Sequence, residues 1–230
     1  MLENPINTLY PLNEVFQTIQ GEGTYTGVPA IFIRLQGCPV GCPWCDTQHT
    51  WEQRAEDQVP LTAIVEKPAA SSTWAQATAT EIVALLQDKK YTAKHVVLTG
   101  GEPAMYDLLE LCEVLESAGY RLQIETSGTF PLRVSPQTWV TLSPKVDMPG
   151  GLLVRADCMN RADEIKYPVA MEKHIDELDN LLKVCPPRAG VTIALQPISQ
   201  RPRATELAIQ TCIERNWRLS VQLHKYLHIE

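Results

Sequence analysis

The chain has 230 residues, 44% hydrophobic and 20% charged, an ordinary composition for a globular protein long enough to bury its own core. Its 20 basic and 27 acidic side chains give a net charge of −7, which argues against nucleic acid or an anionic membrane as the main partner. No apolar stretch approaches the ~20 residues of a membrane span, and Met1-Leu2-Glu3-Asn4-Pro5 lacks the pattern of a secretory leader, so a cytoplasmic location is expected.

The first distinctive run is Gln20-Gly21-Glu22-Gly23, a glycine-rich turn ahead of a predicted strand at 31–35. Arg34 lies near the end of that apolar strand. A guanidinium there expects an anionic partner, either an internal Glu or a substrate carboxylate. The strand runs into a loop carrying Cys38, Cys42 and Cys45. Residues 51–79 then break the rhythm, with Pro60, Pro68 and Ser71-Ser72-Thr73 and too few apolar residues for a core of their own. They read as an insertion or flap on a single domain spanning 1–230.

Beyond the flap, short strands and helices alternate. Thr78 and Glu81 form a capping-box pattern for a helix at 80–89. A strand at 95–99 ends in Gly100-Gly101-Glu102-Pro103. A helix at 107–118 stops at Gly119, a suitable C′ glycine. Strands follow at 121–125, ending in Thr126-Ser127-Gly128-Thr129, and at 139–142, ending in Ser143-Pro144-Lys145. Further strands are expected at 164–166, 192–196 and 219–223, with helices at 175–184 and 203–215. The strands are short and rich in Val and Ile, as strands buried on both faces are. This order predicts an α/β fold with a mostly parallel sheet, a full or partial (β/α) barrel, and no internal repeat. The unusual motifs fall at the C-terminal ends of strands, where such folds build their active sites.

The loop Cys38-Pro39-Val40-Gly41-Cys42-Pro43-Trp44-Cys45 offers three soft ligands in a C-x3-C-x2-C spacing. A structural zinc needs four ligands, and His49 is available as the fourth. An iron–sulfur cluster accepts thiolates at this spacing too, and reduced thiols are the third reading. Seven cysteines, an odd number with three crowded together, fit metal ligation in a reducing compartment better than a disulfide framework. Cys112, Cys158, Cys185 and Cys212 read as structural or incidental.

The cysteine loop, with Trp44 before its last cysteine, and Gly100-Gly101-Glu102-Pro103 downstream resemble the radical S-adenosylmethionine enzymes. The resemblance implies a shortened barrel with a [4Fe–4S] cluster on Cys38, Cys42 and Cys45. Its fourth iron would bind S-adenosylmethionine, whose reductive cleavage gives a 5′-deoxyadenosyl radical. It further implies cofactor contacts at Trp44, Cys45, Asp46, Gly101, Ser143, Pro144, Lys145, Gln196, Pro197, Ile198 and Ser199. The runs 16–23, 38–47, 97–103, 123–129, 139–145, 163–166 and 193–200 are similar to the 7-carboxy-7-deazaguanine synthases in particular. Those enzymes turn 6-carboxy-5,6,7,8-tetrahydropterin into 7-carboxy-7-deazaguanine with loss of ammonia, in queuosine and 7-deazapurine biosynthesis.

The closer resemblance implies substrate contacts at Ile19, Gln20, Gly21, Arg34 and Thr99, with Arg34 on the carboxylate, and Mg2+ at Thr47. It implies no catalytic side chain beyond the cluster and cofactor, an external one-electron reductant protein, and a homodimer. Two other readings stay open: an activase that places a glycyl radical on a partner protein, and a zinc-binding module. Colour separates the last from the others, since about four irons per chain make a brown protein and one zinc does not.

Overall fold

The structure, a computed structural model, describes residues 8–68, 70–198 and 201–229. Among them, strands β1 (Tyr10–Ile19), β2 (Pro29–Leu35), β3 (Ala75–Ala77), β4 (His95–Gly100), β5 (Arg121–Thr126), β6 (Trp139–Leu142), β7 (Glu164–Val169), β8 (Thr192–Pro197) and β9 (Arg218–Leu219) form one sheet. Its order is β3-β1-β2-β4-β5-β6-β7-β8-β9. The pairs from β2 to β9 are parallel, while β1 is antiparallel to both β2 and β3. With β3 and β9 at opposite edges the sheet stays open, a partial barrel with a mostly parallel sheet, as expected from the strand–helix alternation.

Helices α1 (Ala79–Asp88), α2 (Leu109–Ser117), α3 (Ala156–Arg161), α4 (Glu172–Val184), α5 (Pro202–Arg215) and α6 (Leu223–Leu227) complete the order. The capping box forms as read: Glu81 N donates to Thr78 Oγ1 and Thr78 N donates to Glu81 Oε2 at 2.8 Å. Gly119 follows α2 at φ +87, a left-handed conformation that glycine adopts without a Cβ penalty.

Period-two alternation divides each strand between two faces. Ile31, Ile33 and Leu35 of β2, Val96 and Leu98 of β4, and Leu122 and Ile124 of β5 pack with α1 and α2 in one apolar core. Ile165, Tyr167, Val169 and Leu195 pack with α3, α4 and α5 in a second. The alternate residues, among them Phe32, Arg34, Thr99, Gln123, Glu125, Lys166 and Gln196, belong to the other face. That face is buried but polar, with Gln123 and Thr141 fully enclosed and Lys166 nearly so. The expectation of apolar residues on both faces therefore holds for the helix-covered side only.

Three local differences have physical causes. β1 has no counterpart among the predicted strands. It contains Pro11, and its alternation is broken by a bulge between Leu12 and Glu14. The strand expected at 219–223 stops at Leu219, because Leu223 N turns back to Gly21 O at 2.9 Å and opens α6. The segment 51–79 carries short 3-10 turns at Ala55–Asp57 and Leu61–Val65 and then β3, which pairs with β1 at the sheet edge. Ile64, Trp74, Ala75 and Ala77 from this segment are buried.

Candidate functional site

The cysteine loop leaves the end of β2 and is anchored at its base by Gln36. This side chain is fully buried, accepts from Asn13 Nδ2 at 2.7 Å and donates to the carbonyls of Glu52 at 2.7 Å and His49 at 3.1 Å. Backbone bonds from Gly37 N to Thr50 O at 2.7 Å and from Cys38 N to Trp51 O at 3.0 Å close the loop on itself. A thiol-bearing loop is thus braced at both ends before any ligand binds.

The Gly100-Gly101-Glu102-Pro103 turn packs directly beneath it. Gly101 N donates to Leu35 O at 3.0 Å and Glu102 N to Gly37 O at 2.8 Å. A Cβ on Gly101 would lie 2.6 Å from the carbonyl carbon of Gly37 and 2.9 Å from Cys38 Cβ, closer than atoms pack. The Glu102 carboxylate is buried and consumed by protein donors. It accepts from Ala104 N at 3.0 Å, Thr126 Oγ1 at 2.6 Å, Ser127 N at 2.8 Å and Ser127 Oγ. The turn therefore ties the ends of β2, β4 and β5 together.

A cleft of about 350 Å³ opens at the C-terminal ends of the strands. It collects Cys38, Cys42, Cys45, Trp44, Asp46, Thr47, Gly101, Ser143, Lys145, Gln196 and Ile198 on the side of the loop. Ile19, Gln20, Gly21, Arg34 and Thr99 line it as well. Pro144 instead borders a separate, smaller cavity with Trp44 and Ile198. Pro197 ends β8 opposite Val169 and is not among the cleft-lining residues, and Ser199 lies outside the described residues.

The donor set fits an iron–sulfur cluster. Burial pushes the Cys38 thiol up to about 11, and it raises Cys42 as well, with the Lys145 ammonium opposing it. Both are neutral thiols until a metal displaces their protons, so ligation is coupled to proton release. Among the described residues no three His, Cys, Asp or Glu side chains converge on one ion position. A four-iron cluster spreads its thiolates over separate irons and needs no such point. His49, the fourth ligand that a Cys3His zinc site requires, is not among the residues lining the cleft. The Thr47 hydroxyl stands 3.5 Å from Cys45 Sγ, a hard oxygen at the cleft wall beside the thiols.

The floor of the cleft carries a feature with no local signature in the sequence. Lys166 Nζ is held between Glu22 Oε2 at 2.5 Å and Glu125 Oε2 at 2.8 Å. Gln222 Nε2 donates to Glu22 Oε1 at 3.1 Å, and Gln123 Nε2 to Glu125 Oε1 at 3.0 Å. Burial works to raise the Glu22 carboxyl, but the Lys166 charge and the bonds from Lys166 and Gln222 overcome it and hold it at about 2. For Glu125 burial prevails over Lys166, with repulsion from Glu22 adding to it, and its carboxyl is pushed up to about 7. Burial disfavours the Lys166 ammonium, yet the two carboxylates keep it charged. One ammonium between two carboxylates thus leaves Glu125 as the member that takes up a proton near neutrality.

Lys145, at the mouth, is lowered by burial and donates to Ser143 O at 2.9 Å and Ser143 Oγ at 2.5 Å. The C-terminal segment adds Gln222, His224 and Lys225 to the lining. Lys225 Nζ lies 3.7 Å from Asp46 Oδ2, joining this segment to the cysteine loop. Phe16, Phe32, Trp51, Glu125, Lys166, Gln222, His224 and Lys225 also line the cleft, beyond the residues expected from the sequence. Glu125 and Lys166, as charges on buried strands, require partners just as Arg34 does, but the sequence does not say which. The C-terminal residues carried no such signal.

Residues 32–145 match the model of the radical S-adenosylmethionine superfamily. Over 220 residues the chain is 55% identical to a 7-carboxy-7-deazaguanine synthase of Escherichia coli (strain K12), covering 96% of this chain and 99% of the relative. A protein of the same name from Synechocystis sp. is 34% identical over 236 residues, with both chains fully covered. The fold superimposes on a crystal structure of QueE from Escherichia coli with a TM-score of 0.91 and 54% identity, covering 94% of this chain and 95% of that one.

Proposed function

The chain belongs to the 7-carboxy-7-deazaguanine synthase family of radical S-adenosylmethionine enzymes, and from this premise we infer that it converts 6-carboxy-5,6,7,8-tetrahydropterin to 7-carboxy-7-deazaguanine and ammonia. The observation that carries the reading is the single cleft in which the three thiols of one loop face Arg34 and the polar floor. Bound to Cys38, Cys42 and Cys45, a [4Fe–4S] cluster supplies one-electron cleavage of S-adenosylmethionine and hence a radical able to abstract hydrogen.

The protein's own part is binding and orientation. Gly101 leaves room against Cys38, while Trp44, Asp46, Ser143, Lys145, Gln196 and Ile198 surround the space beside the thiols. Arg34 suits the substrate carboxylate, which a planar guanidinium binds through paired N–H donors. Ile19, Gln20, Gly21 and Thr99 complete that wall. The carboxyl groups of Glu22 and Glu125 suit the N–H-rich edge of a pterin.

Thr47 is our choice for a Mg2+ ligand, because Mg2+ prefers oxygen donors and keeps several waters. Pro144, Pro197 and Ser199 remain part of the cofactor assignment through the family resemblance alone. The same resemblance supports a homodimer fed by an external electron donor, while the sequence itself supports the cytoplasm as location and one domain with 51–79 as its insertion. No helix among the described residues is long and apolar enough to cross a membrane.

Anaerobic incubation of reconstituted protein with the carboxytetrahydropterin, S-adenosylmethionine and a reductant tests the reading. Mass detection of the deazapurine is the expected result. Cleavage of S-adenosylmethionine with the pterin left intact would exclude it.

A further inference from the structure

Arg34 lines the cleft, but the carboxylate paired with it does not. In the antiparallel pairing of β1 with β2, Leu12 lies opposite Leu35 and Glu14 opposite Arg34, with a bulge between Leu12 and Glu14. A regular register would have placed Asn13 opposite Arg34. The bulge instead leaves Asn13 fully buried, with its amide on Gln36, and brings Glu14 alongside the arginine. Arg34 Nε donates to Glu14 Oε1 at 2.5 Å, with both side chains largely enclosed. The Phe16 ring, 5.9 Å from the guanidinium carbon, supports the group from a second side. Glu14 itself is not among the cleft-lining residues.

We propose that Glu14 is a positioning residue for recognition of the substrate carboxylate, holding Arg34 by its Nε edge so that the terminal Nη edge is presented to the cleft. This rests on the reading of Arg34 as the carboxylate partner. The Nε edge of the guanidinium is taken by a carboxylate that does not line the cleft, which leaves the terminal Nη edge for a bidentate contact. The local charge agrees. Glu14 also attracts Lys67, whose ammonium bonds Ser71 O at 2.9 Å and Thr73 O at 2.8 Å in the adjoining segment. Arg34 and Lys67 against Glu14 leave one net positive charge, which a substrate carboxylate neutralises. Without Glu14 the repulsion between Arg34 and Lys67 would lose its counter-charge and the guanidinium would be free to swing.

The test is a double-mutant cycle on the reconstituted enzyme, read as KM and kcat for the carboxytetrahydropterin and as Ki for a tetrahydropterin without the carboxylate. Glu14→Ala is expected to raise KM about tenfold, a loss of the size found for charge-assisted pairs, with kcat changed less than KM. In an Arg34→Ala background the same substitution should add almost nothing, since coupled residues are not additive. The Ki of the pterin without the carboxylate should stay at the wild-type value throughout. Should Glu14→Ala yield too little folded protein, the nearly isosteric Glu14→Gln carries the test, with KM expected to rise at least about threefold through lost charge.

A Glu14 effect of equal size with and without Arg34, an equal weakening of both pterins, or an unchanged KM in Glu14→Gln would overturn the proposal. An Arg34→Ala variant with unchanged KM would instead remove the underlying assignment of Arg34.

Discussion

Replacing Gly101 by Ala adds one methyl group at the point where β4 meets the cysteine loop. The new carbon would lie 2.6 Å from the Gly37 carbonyl carbon and 2.9 Å from Cys38 Cβ. Carbon atoms pack at about 3.5–4.0 Å, so one backbone must retreat by roughly 1 Å. Neither side yields easily. Gly101 N is bonded to Leu35 O at 3.0 Å, and Glu102 N to Gly37 O at 2.8 Å. Overpacking of this kind costs about 1–3 kcal/mol, which for a chain of this length lowers Tm by roughly 2–12 °C. The functional loss should be larger than the loss of stability. Metal sites tolerate ligand displacements of only about 0.2 Å, and the groups pushed here are the Gly37 carbonyl and the Cβ that carries the Cys38 thiol. Iron and sulfide content after anaerobic reconstitution, visible absorption, and a thermal melt form the assay. We expect a folded protein with a lowered Tm and well under a full cluster. Wild-type cluster content and an unchanged Tm in Gly101→Ala would refute the reasoning that this approach positions the loop.

Substitution of any one of Cys38, Cys42 or Cys45 by Ala should abolish turnover and the brown colour together, and full activity with an intact cluster in any variant would contradict the ligand assignment. Thr47→Ala should lose stimulation by Mg2+ while cluster content is retained, and preserved stimulation would remove Thr47 from the metal shell. The floor predicts a pH dependence of stability. Glu125 has its folded value raised from 4.5 to about 7, so folding takes up a proton between these values and this group's contribution falls as pH rises through that window. Glu22 is lowered to about 2, so its contribution is complete above 4.5 and is lost as pH falls towards 2. Thermal melts from pH 5 to pH 8 should therefore show a downward slope that Glu125→Gln flattens, and an identical slope in the variant would remove Glu125 as its source.

Much of the site was legible because it sits on strand ends. Cys38, Gly101 and Ser143 follow apolar strands whose limits were nearly correct, so the parallel order alone brings them to one mouth. Local chemistry was legible where it is self-contained, as in the reciprocal bonds of Thr78 and Glu81. What could not be read depends on register and distance. The bulge at Asn13 hid β1, and with it Glu14 and Phe16, because one extra residue disrupts the two-residue period from which a strand is recognised. Glu22 lies in the loop after β1, Glu125 on β5 and Lys166 on β7, 144 positions beyond Glu22, and nothing local to any of them specifies the others. The apolar pattern of 219–223 suggested a strand, but the bond from Leu223 N to Gly21 O turns the chain over the cleft. Pro144 borders the smaller cavity beside Trp44 and Pro197 lies off the cleft lining, so their place in the cofactor site rests on the family resemblance and not on the cleft.

The central claim is that the cysteine loop generates a radical and that the Arg34 wall directs it at a carboxylated pterin. Incubation with substrate deuterated at C6, followed by mass analysis of recovered S-adenosylmethionine and of the deazapurine, tests this in one experiment. The family resemblance implies abstraction at C6 with regeneration of the cofactor, which predicts deuterium in the recovered S-adenosylmethionine, accompanied by formation of the deazapurine. Product formed without any deuterium reaching the cofactor would contradict it.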